Sequence, residues 1–355
     1  MLMSQFGDVR KDFPLLNNGK KIVYLDNSAT SQVPLSVVQA MNDFDTHYRA
    51  NVHRGVYELS ARATAAYEEA HAKVAGFVGC AAEEVIFVRN ATEAINLVAY
   101  SYGMEHVNPG DNVVVSIMEH HSNFVPWQQL CLRKGASLRV VHVDENGQLD
   151  YSQLAGFIDA RTKIVTVTQM SNVFGSVVDV SRVVQVAHSK GAVVVVDGAQ
   201  SVAHMPVNFK ELGCDFLAFS GHKMFGPTGI GVLVGRRELL EKMHPFLFGG
   251  DMIKSVSIEK TTWNELPWKF EAGTPNISGG IGMGAAVDYI QSVGMDTVQA
   301  YERELGAYLL EKLRGMNDVV VYGDDSPRGI VSFNLQGVHA HDVATILDRD
   351  RKSVV

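Results

Sequence analysis

Six short apolar runs, rich in valine and isoleucine, recur at residues 85–88, 113–117, 140–143, 164–167, 193–196 and 216–219. Each is bounded by polar or glycine-containing turns, and between them lie helical patterns at 91–102, 125–134 and 180–190. Strands that lack a polar face are buried on both sides, and strands that alternate with helices pair in parallel beneath them. The pattern predicts an α/β fold built on a mostly parallel sheet with helices on both faces. In such sheets a ligand sits beyond the carboxyl ends of the strands, so the residues just after each run are where chemistry is expected.

A second region follows the last run. Residues 285–293 and 298–314 read as helices, 329–335 as a strand, and 341–348 as the start of another helix. The expected division is an N-terminal arm over residues 1–20 packing with the small domain, a large domain over 21–285, and a small α+β domain over 286–355. The small domain reads as incomplete, because no partner strand follows 329–335. A chain of 355 residues has material for one large core and a smaller one.

The net charge of -8 argues against a nucleic-acid footprint, which needs a basic face, but not against a small anionic ligand. Residues 1–21 lack the continuous apolar core of a signal peptide. No stretch approaches the ~18 apolar residues of a membrane span. The three cysteines, Cys80, Cys131 and Cys214, show no metal-ligand spacing, so a reducing, cytoplasmic setting is expected.

The sharpest local signal is Phe219-Ser220-Gly221-His222-Lys223, directly after an apolar run. A lysine held at a strand end in a desolvating pocket loses its proton and can attack an aldehyde. A lysine taken alone is ordinarily a solvated surface residue; its context here says otherwise. The run at 193–196 ends in Asp197-Gly198-Ala199-Gln200, which puts a carboxylate at the mouth of the sheet one helix and one strand before Lys223. Pyridoxal phosphate needs such an acidic partner to keep its pyridine nitrogen protonated, although an aspartate at a strand end is by itself a turn former. Gln200 is placed to bond the cofactor's phenolic oxygen or the region of its linkage to the lysine.

Arg89-Asn90-Ala91-Thr92-Glu93 follows the first run and opens a helix. Backbone donors there, with the Thr92 hydroxyl, form an anion site; a plain helix cap accounts for the same residues equally well. Ser220 and His222 would add phosphate donors. Glu119-His120-His121-Ser122-Asn123 follows the second run, and an imidazole there is placed to stack on a pyridine ring and to act as acid or base. Adjacent histidines rarely chelate one ion, and no cysteine or carboxylate ligand set accompanies them, so no metal is expected. His339-Ala340-His341 reads as a solvated loop before a helix.

Taken in order, these stretches resemble the class V aminotransferases, and within them the group II (SufS-type) cysteine desulfurases and selenocysteine lyases. The matching pieces are Tyr24-Leu25-Asp26-Asn27-Ser28-Ala29, Val52-His53-Arg54-Gly55 and Val88-Arg89-Asn90-Ala91-Thr92-Glu93. They continue with Met118-Glu119-His120-His121-Ser122-Asn123, Ser171-Asn172-Val173 and Val196-Asp197-Gly198-Ala199-Gln200. The last two are Ser220-Gly221-His222-Lys223 and Phe270-Glu271-Ala272-Gly273-Thr274-Pro275-Asn276.

The resemblance implies the fold-type I architecture of pyridoxal-phosphate-dependent transferases, with a seven-stranded-type sheet. It implies that Lys223 holds pyridoxal 5′-phosphate as a Schiff base, that Asp197 faces the pyridine nitrogen, that Gln200 meets the phenolic oxygen and that His120 stacks on the ring. Ala91, Thr92, Ser220 and His222 would hold the phosphate, joined by Thr274 from the other subunit of a homodimer, and Asn172 would orient the substrate carboxylate. The implied reaction takes sulfur from L-cysteine (or selenium from L-selenocysteine), leaves alanine, and passes sulfur through an enzyme cysteine to an acceptor protein of iron–sulfur cluster assembly.

One element of the resembling family does not occur. Its nucleophilic cysteine lies in an Arg-x-Gly-His-His-Cys loop after the helix that begins near His341, and this sequence contains no such stretch. Cys80, Cys131 and Cys214 read instead as small apolar residues. The chain as written is therefore expected to lack desulfurase turnover, to expose a bare strand edge at 329–335 and to be poorly soluble. The hexapeptide 350–355 is expected to be translated sequencing adapter, with the natural chain continuing past Arg349. Another enzyme of the same class (a selenocysteine lyase, transaminase, epimerase or kynureninase-like hydrolase) and a non-catalytic cofactor-binding remnant remain open. A dinucleotide-binding dehydrogenase is set aside: neither Gly280-Ile281-Gly282-Met283-Gly284 nor 226–231 has the order strand, G-x-G-x-x-G, helix, and close packing and tight turns account for both.

Overall fold

The valine runs form strands because β-branched side chains pack well on a pleated surface covered on both faces. The structure, a computed structural model, describes residues 9–19, 22–349 and 352–353. In chain order the strands begin with β1 (Val23–Tyr24), β2 (Val85–Val88), β3 (Asn112–Ser116), β4 (Ser137–Val141) and β5 (Thr162–Thr168). They continue with β6 (Val193–Asp197), β7 (Phe216–Ser220), β8 (Gly231–Gly235), β9 (Ile253–Val256) and β10 (Thr261–Trp263). β11 (Val319–Tyr322), β12 (Ser332–Leu335) and β13 (Lys352–Ser353) complete the set.

Seven of them make one sheet in the order β2-β8-β7-β6-β5-β3-β4. All neighbours in it are parallel except those of β8, which runs antiparallel to both β2 and β7. The sequence reading took 226–231 for tight turns and passed over β8. Its direction has a simple cause: the link from β7 is too short for a crossover helix, so the chain returns antiparallel. β4 is an edge strand with partly exposed residues, and it begins earlier than its apolar run at 140–143.

Alternate residues of each strand feed different faces. Val194, Val196, Leu217 and Phe219 pack on one side with Tyr67 and Val74 of the helix Glu58–Val78 and Met283 and Val287 of the helix Ile277–Val293. Val193, Val195, Phe216 and Ala218 pack on the other with Ile95 and Leu97 of the helix Ala91–Val98 and Trp127 of the helix Val125–Lys134. Full burial of each such side chain contributes roughly 1.5–3 kcal/mol.

The sequence reading missed the helix Glu58–Val78, whose buried stripe mixes small and polar residues (Ser60, Ala63, Ala70, His71, Ala75) with larger ones, so its apolar periodicity is weak. The glycines at 279, 280, 282 and 284 lie inside the helix Ile277–Val293. A Cβ on Gly280 would stand 2.6 Å from the Tyr67 ring, so these two helices approach closely through glycine. This is a packing role, not a dinucleotide loop.

The helix Ile277–Val293 runs through residue 285, where the domain boundary was expected. Phe13 of the N-terminal arm lies 5.6 Å from Phe225 and 5.8 Å from Tyr289 between ring centres, touching residues on both sides of that boundary. The strand expected at 329–335 is the shorter β12. It pairs antiparallel with the preceding β11, so one of its edges is covered by a strand the sequence reading did not find. β9 and β10 form an antiparallel hairpin. Of the segment 350–355, only residues 352–353 lie among those described, and they pair in parallel with β1. Among the described residues, no helix is long and apolar enough to cross a membrane.

Candidate active site

The carboxyl ends of β2, β3, β5, β6 and β7 open on one rim of the sheet, and each delivers residues singled out from the sequence. β6 ends in Asp197, which is buried, and one of its oxygens accepts a hydrogen bond from the Ala199 N–H at 2.9 Å. Burial pushes the Asp197 carboxyl above the usual aspartate range, against the pull of the Ala199 N–H, Lys223 and His120. β7 runs into a short 3-10 turn, Gly221–Lys223, that carries the lysine. Burial pulls the Lys223 ammonium below the usual lysine range, with Asp197 opposing. Burial thereby shifts the lysine toward the neutral amine that attack on an aldehyde requires.

The loop after β3 carries His120. Its Nδ1 accepts the Ser122 N–H at 3.1 Å and lies 3.0 Å from the Ser122 hydroxyl. That bond places the ring proton on Nε2. Burial, then Lys223, lowers the imidazole's pKa, and Asp197 raises it. Lys223, Asp197 and His120, far apart in sequence, are thus near enough for their charges to act on one another.

The residues expected to cradle a phosphate also meet between strand ends. Asn90 caps the helix Ala91–Val98 by accepting from the Glu93 N–H at 3.0 Å. The Ala91 N–H donates to the Ser220 hydroxyl at 2.9 Å, and the Thr92 and Ser122 hydroxyls are 2.7 Å apart. Gly231 makes this approach feasible: a Cβ there would stand 2.5 Å from the Asn90 Cα. Ala91's amide is occupied by Ser220 and one hydroxyl of the Thr92–Ser122 pair donates to the other, which leaves the Ser220 O–H and the remaining O–H of that pair as donors to an anion. A cavity of about 340 Å³ opens beside the Thr92–Ser122 pair.

His222 is partly buried, and its carbonyl accepts from the Ser31 N–H at 2.8 Å and the Thr30 hydroxyl at 3.1 Å. Burial and Lys223 lower its imidazole's pKa. Gln200 is buried and donates to the Ser28 carbonyl at 2.8 Å, while its Oε1 has no hydrogen-bond partner. The segment 28–31 therefore braces both the lysine turn and Gln200, a role the sequence reading did not assign. Asn172 stands partly buried in the loop after β5. Thr274 is exposed, outside this cluster, on a loop beside a second cavity of about 300 Å³ lined by His53, Arg54, Asp251 and Trp268.

Two residues bonded into this rim carry no role in the sequence reading. Ser122 was quoted within a motif but not placed in the cradle, and Glu119 was passed over. Burial pushes the Glu119 carboxyl up to about 8, against the hydrogen bonds it receives. Of the thiols, burial pushes Cys80 up to about 12, Cys131 up to about 11, and Cys214 upward as well. None of the three has the lowered pKa of a nucleophile.

The chain belongs to the class-V aminotransferase family, whose model matches residues 23–354. Similar chains within it are cysteine desulfurases. The probable cysteine desulfurase of Halalkalibacterium halodurans is 48% identical over 97% of this chain and 86% of its own length. The cysteine desulfurase of Dickeya dadantii is 50% identical over 96% and 84%. Among solved structures, the apo cysteine desulfurase of Thermococcus onnurineus superposes with a TM-score of 0.93 at 43% identity, covering 98% of this chain and 86% of that one. The cysteine desulfurase CsdA of Escherichia coli gives 0.90 at 38%, covering 98% and 87%.

Pyridoxal 5′-phosphate is the cofactor of this enzyme class, and the residues present fit it. A buried carboxylate, a desolvated lysine and a ring of hydroxyls converge at one rim, and the unpartnered Gln200 Oε1 waits for a donor such as a hydroxyl or a protonated nitrogen would bring.

Proposed function

We propose that this chain is a pyridoxal-phosphate-dependent cysteine desulfurase acting on L-cysteine, with Lys223 holding the cofactor. The observation that carries the reading is the convergence of Lys223 and Asp197 at the ends of adjacent strands, each altering the other's proton affinity. The similar chains named above supply the substrate.

Bound there, pyridoxal phosphate supplies an electron sink for charge that develops on the substrate's α-carbon. Asp197 would hold the proton on the pyridine nitrogen, and the pairing would offset the burial that raises its own proton affinity. Lys223, whose burial favours the neutral amine, would hold the cofactor through its Nζ. His120, with its proton on Nε2, would lie on the ring, and Gln200 would meet the phenolic oxygen. The hydroxyls of Thr92 and Ser220 and the side chain of His222 would bind the phosphate, with the Ala91 amide holding the Ser220 hydroxyl in place, and Asn172 would orient the substrate carboxylate.

Turnover converts L-cysteine and a thiol into alanine and a persulfide. None of the three cysteines of this sequence is activated for that step, so the reading places the sulfur on a thiol other than these and predicts little turnover from this chain by itself. A homodimer in which Thr274 reaches the partner's phosphate, a sulfur-acceptor protein and a cytoplasmic setting complete the reading.

An absorbance spectrum of the purified chain with pyridoxal phosphate, beside Lys223→Ala, tests it. The expected result is a band at the visible edge in the unsubstituted chain, lost in the variant and altered by L-cysteine. A folded chain that develops no band would overturn the reading.

A further inference from the structure

We propose that Glu119 is a positioning residue of this site: its buried carboxyl ties the ends of β3 and β5 to both ends of the loop that presents His120. The inference rests on the reading of His120 as the group that lies on the cofactor ring.

Glu119 immediately precedes His120 and is 8% exposed. One oxygen accepts the N–H of Thr168, the last residue of β5, at 2.9 Å. The same oxygen is hydrogen-bonded to the hydroxyl of Ser116, the last residue of β3. The other oxygen accepts from the Asn123 side-chain amide at 2.6 Å. The carboxyl therefore grips the start of the loop through its own backbone and the end of the loop through Asn123. Within this span, the Asn123 N–H donates to the His120 carbonyl at 2.8 Å. Thr168 is in turn the register partner of Asp197 across β5 and β6. One carboxyl thus fixes His120's loop relative to the strand neighbouring Asp197.

The donors leave no choice of residue type. Asn123 is fully buried, and its carbonyl oxygen is occupied by the Trp127 indole N–H at 3.0 Å and the Thr166 hydroxyl at 2.7 Å. Its NH₂ must therefore face Glu119. The Thr168 N–H is fixed in the backbone and faces the other oxygen. With one N–H aimed at each oxygen, a carboxyl satisfies both. A glutamine of the same shape would set its own NH₂ against one of them, leaving a buried donor unpaired. Nothing in the arrangement needs Glu119 to touch cofactor or substrate, and it acts through His120.

The test is a double-mutant cycle on the full chain, titrated with pyridoxal phosphate and read by the absorbance of the bound cofactor, for wild type, Glu119→Gln, His120→Ala and the double variant. Glu119→Gln is expected to weaken binding on the order of tenfold, the scale of one buried hydrogen bond. It should shift the band in the same direction as His120→Ala, and the double variant should bind no more weakly than His120→Ala alone. Losses that multiply in the double variant, or a Glu119→Gln chain that binds and absorbs as wild type, would overturn the proposal while leaving His120's role standing. If His120→Ala itself changes neither affinity nor band, the reading of His120 fails and takes this proposal with it. Should Glu119→Gln not fold, Ser116→Ala removes one bond to the same carboxyl. A smaller weakening in the same direction supports the proposal, and none overturns it.

Discussion

Lys223, Asp197 and His120 meet in a partly buried rim, where burial works against the charged form of each and their mutual electrostatics shift the proton affinity of all three. Glu119 lies just behind them, and it makes a prediction at the level of one proton. Its carboxyl titrates at about 8 in the folded chain against an ordinary value of 4.5, chiefly through burial. Between those values the folded chain holds a proton that the unfolded chain has released, so stability falls as pH rises through this window and levels off above it. Glu119→Gln has no such proton. It should be less stable than wild type at the acid end, by about 1–3 kcal/mol for its unpaired buried donor, and the deficit should shrink as pH rises toward 8. Urea melts at several pH values check this, and a deficit independent of pH counts against a buried, proton-holding Glu119. Lys223 and His120 were legible in the sequence because they are reactive residue types placed just after apolar runs. Glu119 was not, because its role depends on Thr168, 49 residues away and adjacent only once β3 and β5 pair.

Strands and helices locate the chemistry by where they end. The interior strands were readable as apolar runs because both of their faces are buried. β8 was hidden between glycines whose purpose shows only in the fold: Gly231 lies opposite Val88 on β2 and Ser220 on β7 and lets the Asn90 backbone pass close by. Replacing it with alanine would put a Cβ 2.5 Å from the Asn90 Cα and 2.9 Å from the Phe219 carbonyl oxygen, contacts with backbone that cannot swing aside. Gly231→Ala should cost about 1–3 kcal/mol as overpacking. It should also weaken pyridoxal phosphate binding, because the Ala91–Ser220 bond spans the same gap. Leu217→Ala, in the core between sheet and helices, is the contrasting change. It should cost about 2–5 kcal/mol and leave the cofactor band of the folded chain unaltered. Thermal melts and cofactor titrations on the two variants separate these outcomes, and equal effects on binding would deny β8 its part in shaping the cradle.

Across the whole molecule, the cluster around Lys223 does not include Thr274, which stands exposed on its own loop beside the cavity at His53 and Arg54. If Thr274 completes the partner's phosphate site, Lys223→Ala and Thr274→Ala are lesions in different subunits of one site. Each variant alone builds two defective sites per dimer. A mixed dimer gathers both lesions into one site and leaves the other intact, with Lys223 from the second variant and Thr274 from the first. Unfolding and refolding the two variants together should therefore restore a cofactor band with wild-type affinity that neither shows alone. If Thr274 serves its own subunit, every site in the mixture keeps one lesion and no wild-type band returns, because no exchange of subunits can repair a defect that stays within one chain.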